Sequence, residues 1–496
     1  MTAHRPASRA GAARRLVVIA AAFATLAGVP LPAQQTVSLQ QAIALAQRQG
    51  YQASVAASTI ESARDLNHAF RANFLPSLSL SGNTPSYTRS ITPVIQPDGT
   101  TLYLPLQETD AGLSATVLQR VPWTNTTLSF TSGLSQVKVN GPAGFQTWSS
   151  TPISVGITQP IFRSNSQRWD IREQDLRIES SERHYVEARE DVAIAATNAF
   201  FDLYAAGATL KNAQANAAVN DTLYTLNKGR LAVGKIGEND LLQSELALLR
   251  ARQSAEDANI NYERVLAQLR LTINVPAGTP LAVVVDANVP DFEPDTAEAV
   301  RYARDNSSTS EDAVASEVHA DRGVSEARWN GGGGGTLSAS YGYNATGPTA
   351  SDAYKSLLNA QRLSFALQLP LWQWGAHSSN VDAAKADRDA ARTNAEVTRA
   401  QLDQNARFAA LQLTEARRSL VIAAKADTVA AKRFDVAYNR YVIGRITIDN
   451  LYIAQSEKDQ ALQGFAQALR AYWMAYYQLR KLTLYDFERK EPIRTR

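Results

Sequence analysis

The chain repeats itself. Shifted by 210 residues, Pro160 falls on Pro370, Ala199 on Ala409, Leu203 on Leu413, Leu210 on Leu420, Gly234 on Gly444, Leu241 on Leu451 and Tyr262 on Tyr472. Gln268-Leu269-Arg270 likewise falls on Gln478-Leu479-Arg480, and no gap is needed across more than a hundred residues. At another offset, Gln41-Ala42-Ile43 through Ser81 matches Glu298-Ala299-Val300 through Ser340, each a helical stretch running into a Leu-Ser alternation. The 496 residues are therefore read as two copies of one unit: short helix, strands, long helix, turn, helix. The expected divisions are a leader at 1–33, a first copy at 34–274, a Pro- and Val-rich linker at 275–295, a second copy at 296–485 and a tail at 486–496.

The long helix of each copy carries a coiled-coil seam. Leu402, Ala406, Ala409, Leu413, Ala416, Leu420, Ala423, Asp427, Ala430, Phe434, Ala437 and Tyr441 step alternately by four and three. Copy one repeats the spacing from Val192, Ala196, Ala199 and Leu203 to Asn220, Tyr224, Asn227 and Leu231. A strict average of 3.5 residues implies a left-handed supercoil. The many alanines bring neighbouring backbones close, which suits a wall of antiparallel helices better than a Leu-zipper dimer, with ordinary bundle packing as the other reading. The long helices are expected over 163–233 and 375–443, and the returning helices over 238–272 and 448–482. Short helices within 54–73 and 306–329 bring each set to nearly the length of the long one. At about 1.5 Å per residue the result is a rod close to 100 Å long.

Between the short and long helices the period changes to two. Leu363, Phe365, Leu367 and Leu369 alternate with Ser364, Ala366 and Gln368, and Ile153, Val155 and Ile157 with Ser154, Gly156 and Thr158. Leu78 and Leu80 alternate with Ser77, Ser79 and Ser81, and Tyr341 and Tyr343 follow Leu337. One apolar face opposite a small polar one fits a sandwich or a membrane barrel. The barrel is the expectation, because an exported chain with long helices has no second sheet to pack against. Phe162, Trp372, Trp374, Tyr341 and Tyr343 are expected as an interfacial girdle. The copies supply four strands, with two weaker ones around Val117 and Phe130 in an insertion (82–150) that copy two lacks. Four to six strands cannot close a membrane barrel, so several chains must share one.

Composition narrows the function. Lys and Arg number 50 against 47 Asp and Glu, but Arg5, Arg9, Arg14 and Arg15 lie in a leader without acids. Without it the balance is near zero, and a nucleic-acid role loses its main support. The leader reads as a secretory signal: Arg14-Arg15, an apolar run from Leu16 to Val29, and Leu31-Pro32-Ala33 for cleavage. No later run approaches 18 apolar residues, so membrane insertion would be by barrel. Cysteine is absent, which removes disulfides, thiolate chemistry and a lipidated N-terminal Cys. The five His are too scattered to suggest a metal site, and no catalytic or cofactor-binding pattern stands out.

Each long helix ends in a matching turn, Val233-Gly234-Lys235-Ile236 and Ile443-Gly444-Arg445-Ile446-Thr447. The glycines supply the left-handed residue that ends a helix, and Asn239-Asp240 or Thr447 is expected to cap the next one. Val233, Ile236, Ile443 and Ile446 are expected to be exposed at a tip far from the strands, which marks a docking surface. With Thr158-Gln-Pro-Ile-Phe162 and Gln368-Leu-Pro-Leu-Trp372 before the long helices, and the duplication, the chain resembles the TolC-type outer-membrane efflux channel family over nearly all of its mature length. The resemblance implies a mostly α homotrimer, each protomer giving four strands to one twelve-stranded barrel that continues as a helical coiled-coil tunnel across the periplasm. It implies that Pro160 and Pro370 mark the barrel–helix junction, and that the two tips receive the periplasmic adaptor of an inner-membrane pump. The family often has acidic residues just past the second tip. Here those positions hold Asn450 and Ile453, with Asp449 shifted by one and Asp240 in copy one, so the chain departs from an acidic gate. Asp240, Asp449 and Asn450 are the candidate tunnel-entrance residues.

The expected function is that of the passive outer-membrane channel of a tripartite efflux or type I secretion system, set in outer-membrane lipid and without a lipid anchor. The other reading is a periplasmic coiled-coil adaptor or scaffold with no pore. A flexible junction is expected at Asn330 and glycines 331–335.

Overall fold

The computed structural model describes residues 35–141, 144–285 and 289–493, so the expected leader lies outside the described residues. Strand β1 (Gln35–Ser38) leads into helices α1 (Leu39–Gln49) and α2 (Tyr51–Ala72). Four strands follow: β2 (Ser77–Ile95), β3 (Thr101–Val121), β4 (Thr126–Val139) and β5 (Phe145–Ile161). Next come α3 (Ser166–Ala232), α4 (Glu238–Thr272) and the short strand β6 (Leu281–Val284). The order then recurs as α5 (Thr296–Asn306), α6 (Ser308–Asn330), β7 (Gly334–Gly347), β8 (Leu358–Gln368), α7 (Ala376–Val442) and α8 (Ile448–Thr483). A small hairpin of β9 (Tyr485–Asp486) and β10 (Glu491–Pro492) ends the described chain.

Helices α3 and α7 have 67 residues each, roughly 100 Å at the usual rise. The face they bury is the one with the four-three spacing. Val192, Ala196, Ala199, Leu203 and Ala206 are buried on α3, and Leu402, Ala406, Ala409, Leu413, Ala416 and Leu420 on α7. The shorter helices are joined end to end. Asn274, just past α4, donates from Nδ2 to the carbonyl of Gln49 (2.9 Å), where α2 begins. Asn306 donates in the same way to the carbonyl of Thr483 (3.0 Å), which brings the end of α8 to the start of α6. Helix α3 packs between the α2/α4 column and the α6/α8 column, and α7 packs on the far side of the latter. The helical part is thus a slab four helices wide.

The largest buried cluster sits near mid-length, where the short elements wrap the slab. It joins Ile43 of α1, Phe200, Phe201 and Leu203 of α3, Leu269 of α4, Leu413 of α7, and Tyr472, Tyr476 and Tyr477 of α8. Helix α1 begins in a capping box: the Ser38 side chain accepts from the Gln41 amide and the Gln41 side chain accepts from the Ser38 amide. The expected linker proves to hold β6, which pairs in parallel with β1 from Gln35↔Leu281 to Ser38↔Val284. Four residues are too short for a periodic signal, and parallel pairing depends on segments about 245 residues apart meeting on one surface.

Six strands, not the four on which a twelve-stranded barrel rests, form one antiparallel sheet in the order β2-β3-β4-β5-β7-β8. The extra pair comes from residues 101–139, which are folded back by a turn in which Asn125 adopts φ +61°. The glycine run beside β7 is packed rather than loose. A Cβ on Gly331 would lie 2.6 Å from Nδ1 of His377, one on Gly333 2.8 Å from the carbonyl of Gln368, and one on Gly334 2.7 Å from Nε of Arg163. The glycines let the strand start press against both long-helix starts.

One buried ion cluster ties three elements together. Arg480 of α8 reaches both carboxylate oxygens of Glu190 on α3 (3.1 and 3.2 Å) and Oδ2 of Asp486 in β9 (2.8 Å). Glu190 is only 3% exposed. Burial pushes its carboxyl above the ordinary value, and the Arg480 charge opposes that shift. We expect Arg480→Ala, which leaves a buried carboxylate unpaired, to cost about 3–5 kcal/mol in denaturant unfolding. Lys481→Ala, which removes the open pair with Asp191, is expected to cost less than about 1 kcal/mol. Because the folded pKa of Glu190 is raised, the stability of the native chain relative to Glu190→Gln should be greatest below the unfolded carboxyl pKa. It should fall as pH rises through the folded value, which unfolding at several pH values measures.

Candidate functional site

The sheet has two chemically opposite faces. Cross-strand register places Val117, Phe130, Val155 and Tyr341 in one row with Leu78, and Leu128, Ile157, Ala339 and Leu363 in the next. These side chains are largely open: Leu78, Leu363 and Phe365 all stand exposed, Leu363 at 77%. The other face carries Ser79, Thr116, Thr131, Ser154 and Gly342 in one row, and Ser129, Gly156, Ser340 and Arg362 in another. Neither β2 nor β8 has a partner on its outer edge among the described residues. The face pattern suits lipid on one side and water on the other.

At the helix end of the sheet the chain passes through Pro160 and Pro370 into the long helices. Pro160 still pairs within β5, opposite Thr336, whereas Pro370 lies just beyond β8. Phe162 and Trp374 adopt positive φ (56° and 50°) here, a conformation that costs a bulky side chain of order 1 kcal/mol or more. Asn165 caps α3 by accepting from the Arg168 amide (3.0 Å), and its Nδ2 donates to the Pro122 carbonyl (2.8 Å) in the β3–β4 turn. Trp123, Phe162, Trp372 and Trp374 are exposed at this level, Trp374 at 89%. Tyr341 and Tyr343, expected in the same girdle, stand within β7 instead. Trp123 was not singled out in the sequence, because a lone Trp in a turn has no periodicity to mark it.

The far ends of the helices form two tips. Gly234 and Gly444 have φ of +67° and +75°. The amides of Lys235 and Arg445 reach back to the carbonyls of Arg230 (2.9 Å) and Arg440 (2.8 Å), which ends each helix in a tight left-handed cap. Val233 and Ile443 project into solvent, 68% and 65% exposed. Ile236 and Ile446 do not: both are half-buried, and Ile446 packs on a small core of Leu223, Phe434, Tyr441, Ile448 and Leu451. Lys235, Arg445 and Thr447 are exposed. The cap expected from Asn239-Asp240 is made by Gly237, since α4 starts one residue before Asn239. Thr447 does stand at the cap of α8, but its hydroxyl accepts from Nδ2 of Asn450 (3.0 Å) instead of a backbone amide.

The two tips are bound to each other. Arg230 donates to the carbonyls of Tyr441 (3.2 Å) and Val442 (2.9 Å) at the end of α7, and its guanidinium lies 5.1 Å from the Tyr441 ring centre. The Tyr441 hydroxyl donates to Oδ1 of buried Asn227 (2.7 Å), and Gln243 donates to Asp449 (2.7 Å). Of the three entrance candidates, Asp449 thus joins the inter-tip contacts, Asn450 bonds locally, and Asp240 is half-buried in the first turn of α4.

Solved structures with this architecture include outer-membrane channels. The CmeC outer membrane channel of Campylobacter jejuni aligns over 92% of this chain and 87% of its own, with a TM-score of 0.64 at 18% identity. The open-state MtrE outer membrane channel of Neisseria gonorrhoeae aligns over 92% and 91%, with a TM-score of 0.60 at 16% identity. The outer membrane protein VceC of Vibrio cholerae aligns over 90% and 95%, with a TM-score of 0.62 at 14% identity. The chain has the TolC-type outer-membrane channel fold. No protein-family model and no curated protein sequence matches it.

Within this TolC-type fold, the tips lie at the opposite end of α3 and α7 from the two-faced sheet. Their mutual bonds were not legible in the sequence, because Arg230 and Tyr441 are 211 positions apart. We expect Tyr441→Phe, which leaves Asn227 without its hydroxyl donor, to cost about 1–3 kcal/mol. Amide hydrogen exchange should show faster opening confined to residues near 223–236 and 434–451.

Proposed function

We propose that three copies of this chain, each built of two copies of one unit, close a barrel in the outer membrane and continue as a helical tunnel into the periplasm. The observation that carries this reading is a sheet with a lipid-compatible face, a hydroxyl-rich face and two open edges, joined to a slab of helices roughly 100 Å long. In water such a sheet exposes its apolar face. In lipid its open edges leave backbone groups unpaired, which costs several kcal/mol each. Pairing β2 of one copy with β8 of the next resolves both problems.

The outer columns of the slab support the same assembly. Leu242, Leu246 and Leu249 of α4 step by about one helical turn, Ile260 follows three turns further on the same phase, and all are exposed. Phe408, Leu411, Ile422, Val429 and Val436 of α7 are exposed as well. Helices α4 and α7 occupy opposite sides of the slab, so each apolar stripe meets the other when copies stand side by side. Their four-three spacing is that of a coiled-coil seam.

The protein is then a passive conduit, not an enzyme. A solute crosses in water past Ser and Thr hydroxyls, and an inner-membrane pump supplies the work. An adaptor of that pump docks on the tips at Val233-Gly234-Lys235-Ile236 and Ile443-Gly444-Arg445-Ile446-Thr447. Opening is a shear of the helices at the tips, resisted by the Arg230, Tyr441 and Gln243 contacts. Asp240, Asp449 and Asn450 stand beside that entrance. Nothing favours a poreless adaptor or scaffold, which has no use for an exposed two-faced sheet.

Replacing Gly234 and Gly444 together by Asp should abolish efflux while leaving a heat-resistant trimer band and normal outer-membrane fractionation. Transport assays on cells carrying the double variant decide it, and normal efflux would overturn tip docking. A detergent-free monomer would overturn the conduit itself.

A further inference from the structure

We propose that all six strands of each chain stand in the barrel wall, so that three chains close an eighteen-stranded barrel. The inference rests on the trimeric conduit and deepens it: the outer-membrane segment is wider than four strands per chain would make it.

Three observations carry it. First, the inserted hairpin β3–β4 continues both faces of its neighbours, interrupted near the helix end by Gln119 on the apolar face and Leu118 on the hydroxyl-rich one. Leu113, Val117 and Val121 of β3 and Leu128, Phe130 and Leu134 of β4 share the apolar face with Leu78 of β2 and Val155 of β5. Thr116, Ser129 and Thr131 share the hydroxyl-rich face with Ser79 and Ser154. A hairpin lying outside the membrane would have no reason to keep this division. Second, the hairpin occupies the middle of the sheet, between β2 and β5, and not an edge from which it could be peeled. Its turn is fastened at the start of the helices. Asn165 donates to the Pro122 carbonyl, Gln159 donates to that of Thr124 (2.8 Å), Gln119 donates to that of Phe74 (2.7 Å), and Thr126 donates to Gln159.

Third, the widths agree. Strands about 4.8 Å apart and tilted about 40° occupy roughly 6 Å of circumference each, so six take up roughly 37 Å and four roughly 25 Å. Four helices packed about 8–10 Å apart occupy roughly 36 Å. Six strands therefore meet the four-helix slab without a pinch at the junction.

The chain contains no cysteine, so single replacements carry unique labels. Thr116→Cys and Ser129→Cys should react with a charged thiol reagent and lower single-channel current in planar bilayers, as the control Ser154→Cys on β5 should. Val117→Cys and Phe130→Cys, carrying an environment-sensitive fluorophore, should lose most of their emission to brominated lipid, as the control Val155→Cys should. If none of the four β3–β4 positions is quenched or lowers the current while both β5 controls behave as stated, the eighteen-stranded wall is wrong and the conduit stands. If the β5 controls also fail and native mass spectrometry finds no trimer, the conduit reading has failed, and this inference with it. Electron cryo-microscopy of the unmodified chain in nanodiscs counts the strands directly, eighteen as expected or twelve against it.

Discussion

Everything in this molecule answers to an unfinished sheet. Among the described residues its outer strands, β2 and β8, have no partner on one side, and one of its faces is apolar and open. Backbone groups at such an edge are tolerable in water but not in hydrocarbon, while the apolar face is tolerable in hydrocarbon but not in water. No isolated copy satisfies both demands. The constraint is what supports the closed assembly proposed above, without any appeal to a particular partner or cargo.

The helical slab answers a different demand, which is to stay straight over a long distance with little core. A slab one helix thick has no deep interior. Alanine seams on α3 and α7 compensate by close backbone approach, and the larger buried side chains gather near mid-length around Phe200, Leu413 and Tyr472. The Arg480–Glu190–Asp486 cluster and the β1–β6 ladder lie in the same zone. Toward the tips the seam becomes polar, with Asn220 and Asn227 buried in it. Polar seam positions specify register at some cost in stability.

Much of this was legible residue by residue. The returning helix expected over 238–272 has those bounds, and the others differ by a few residues at their ends. What failed had common causes. The glycines at 331–335 read as a flexible junction because sequence cannot distinguish a glycine chosen for mobility from one chosen for close approach. The exposure expected for Ile236 and Ile446 failed because a four-residue turn has no periodicity, so which side packs is settled only by the core beneath it. The strands around Val117 and Phe130 were weak signals because their alternation is diluted by Ala and Ser. Flanking strands on both sides supply the pairing that intrinsic propensity does not.

By itself the sequence determined the periods: 3.5 along the long helices, two along the strands, and 210 between corresponding turns. Local periodicity decides which face of each element is apolar, and helix length follows from residue count. Only the tertiary structure decided what meets what. The count of strands in one sheet, the end-to-end joining of short helices, and the bonds between Arg230, Tyr441 and Asn227 all join residues far apart in the chain. Such contacts depend on the geometry of approach between finished elements, and no window of neighbouring residues contains that geometry.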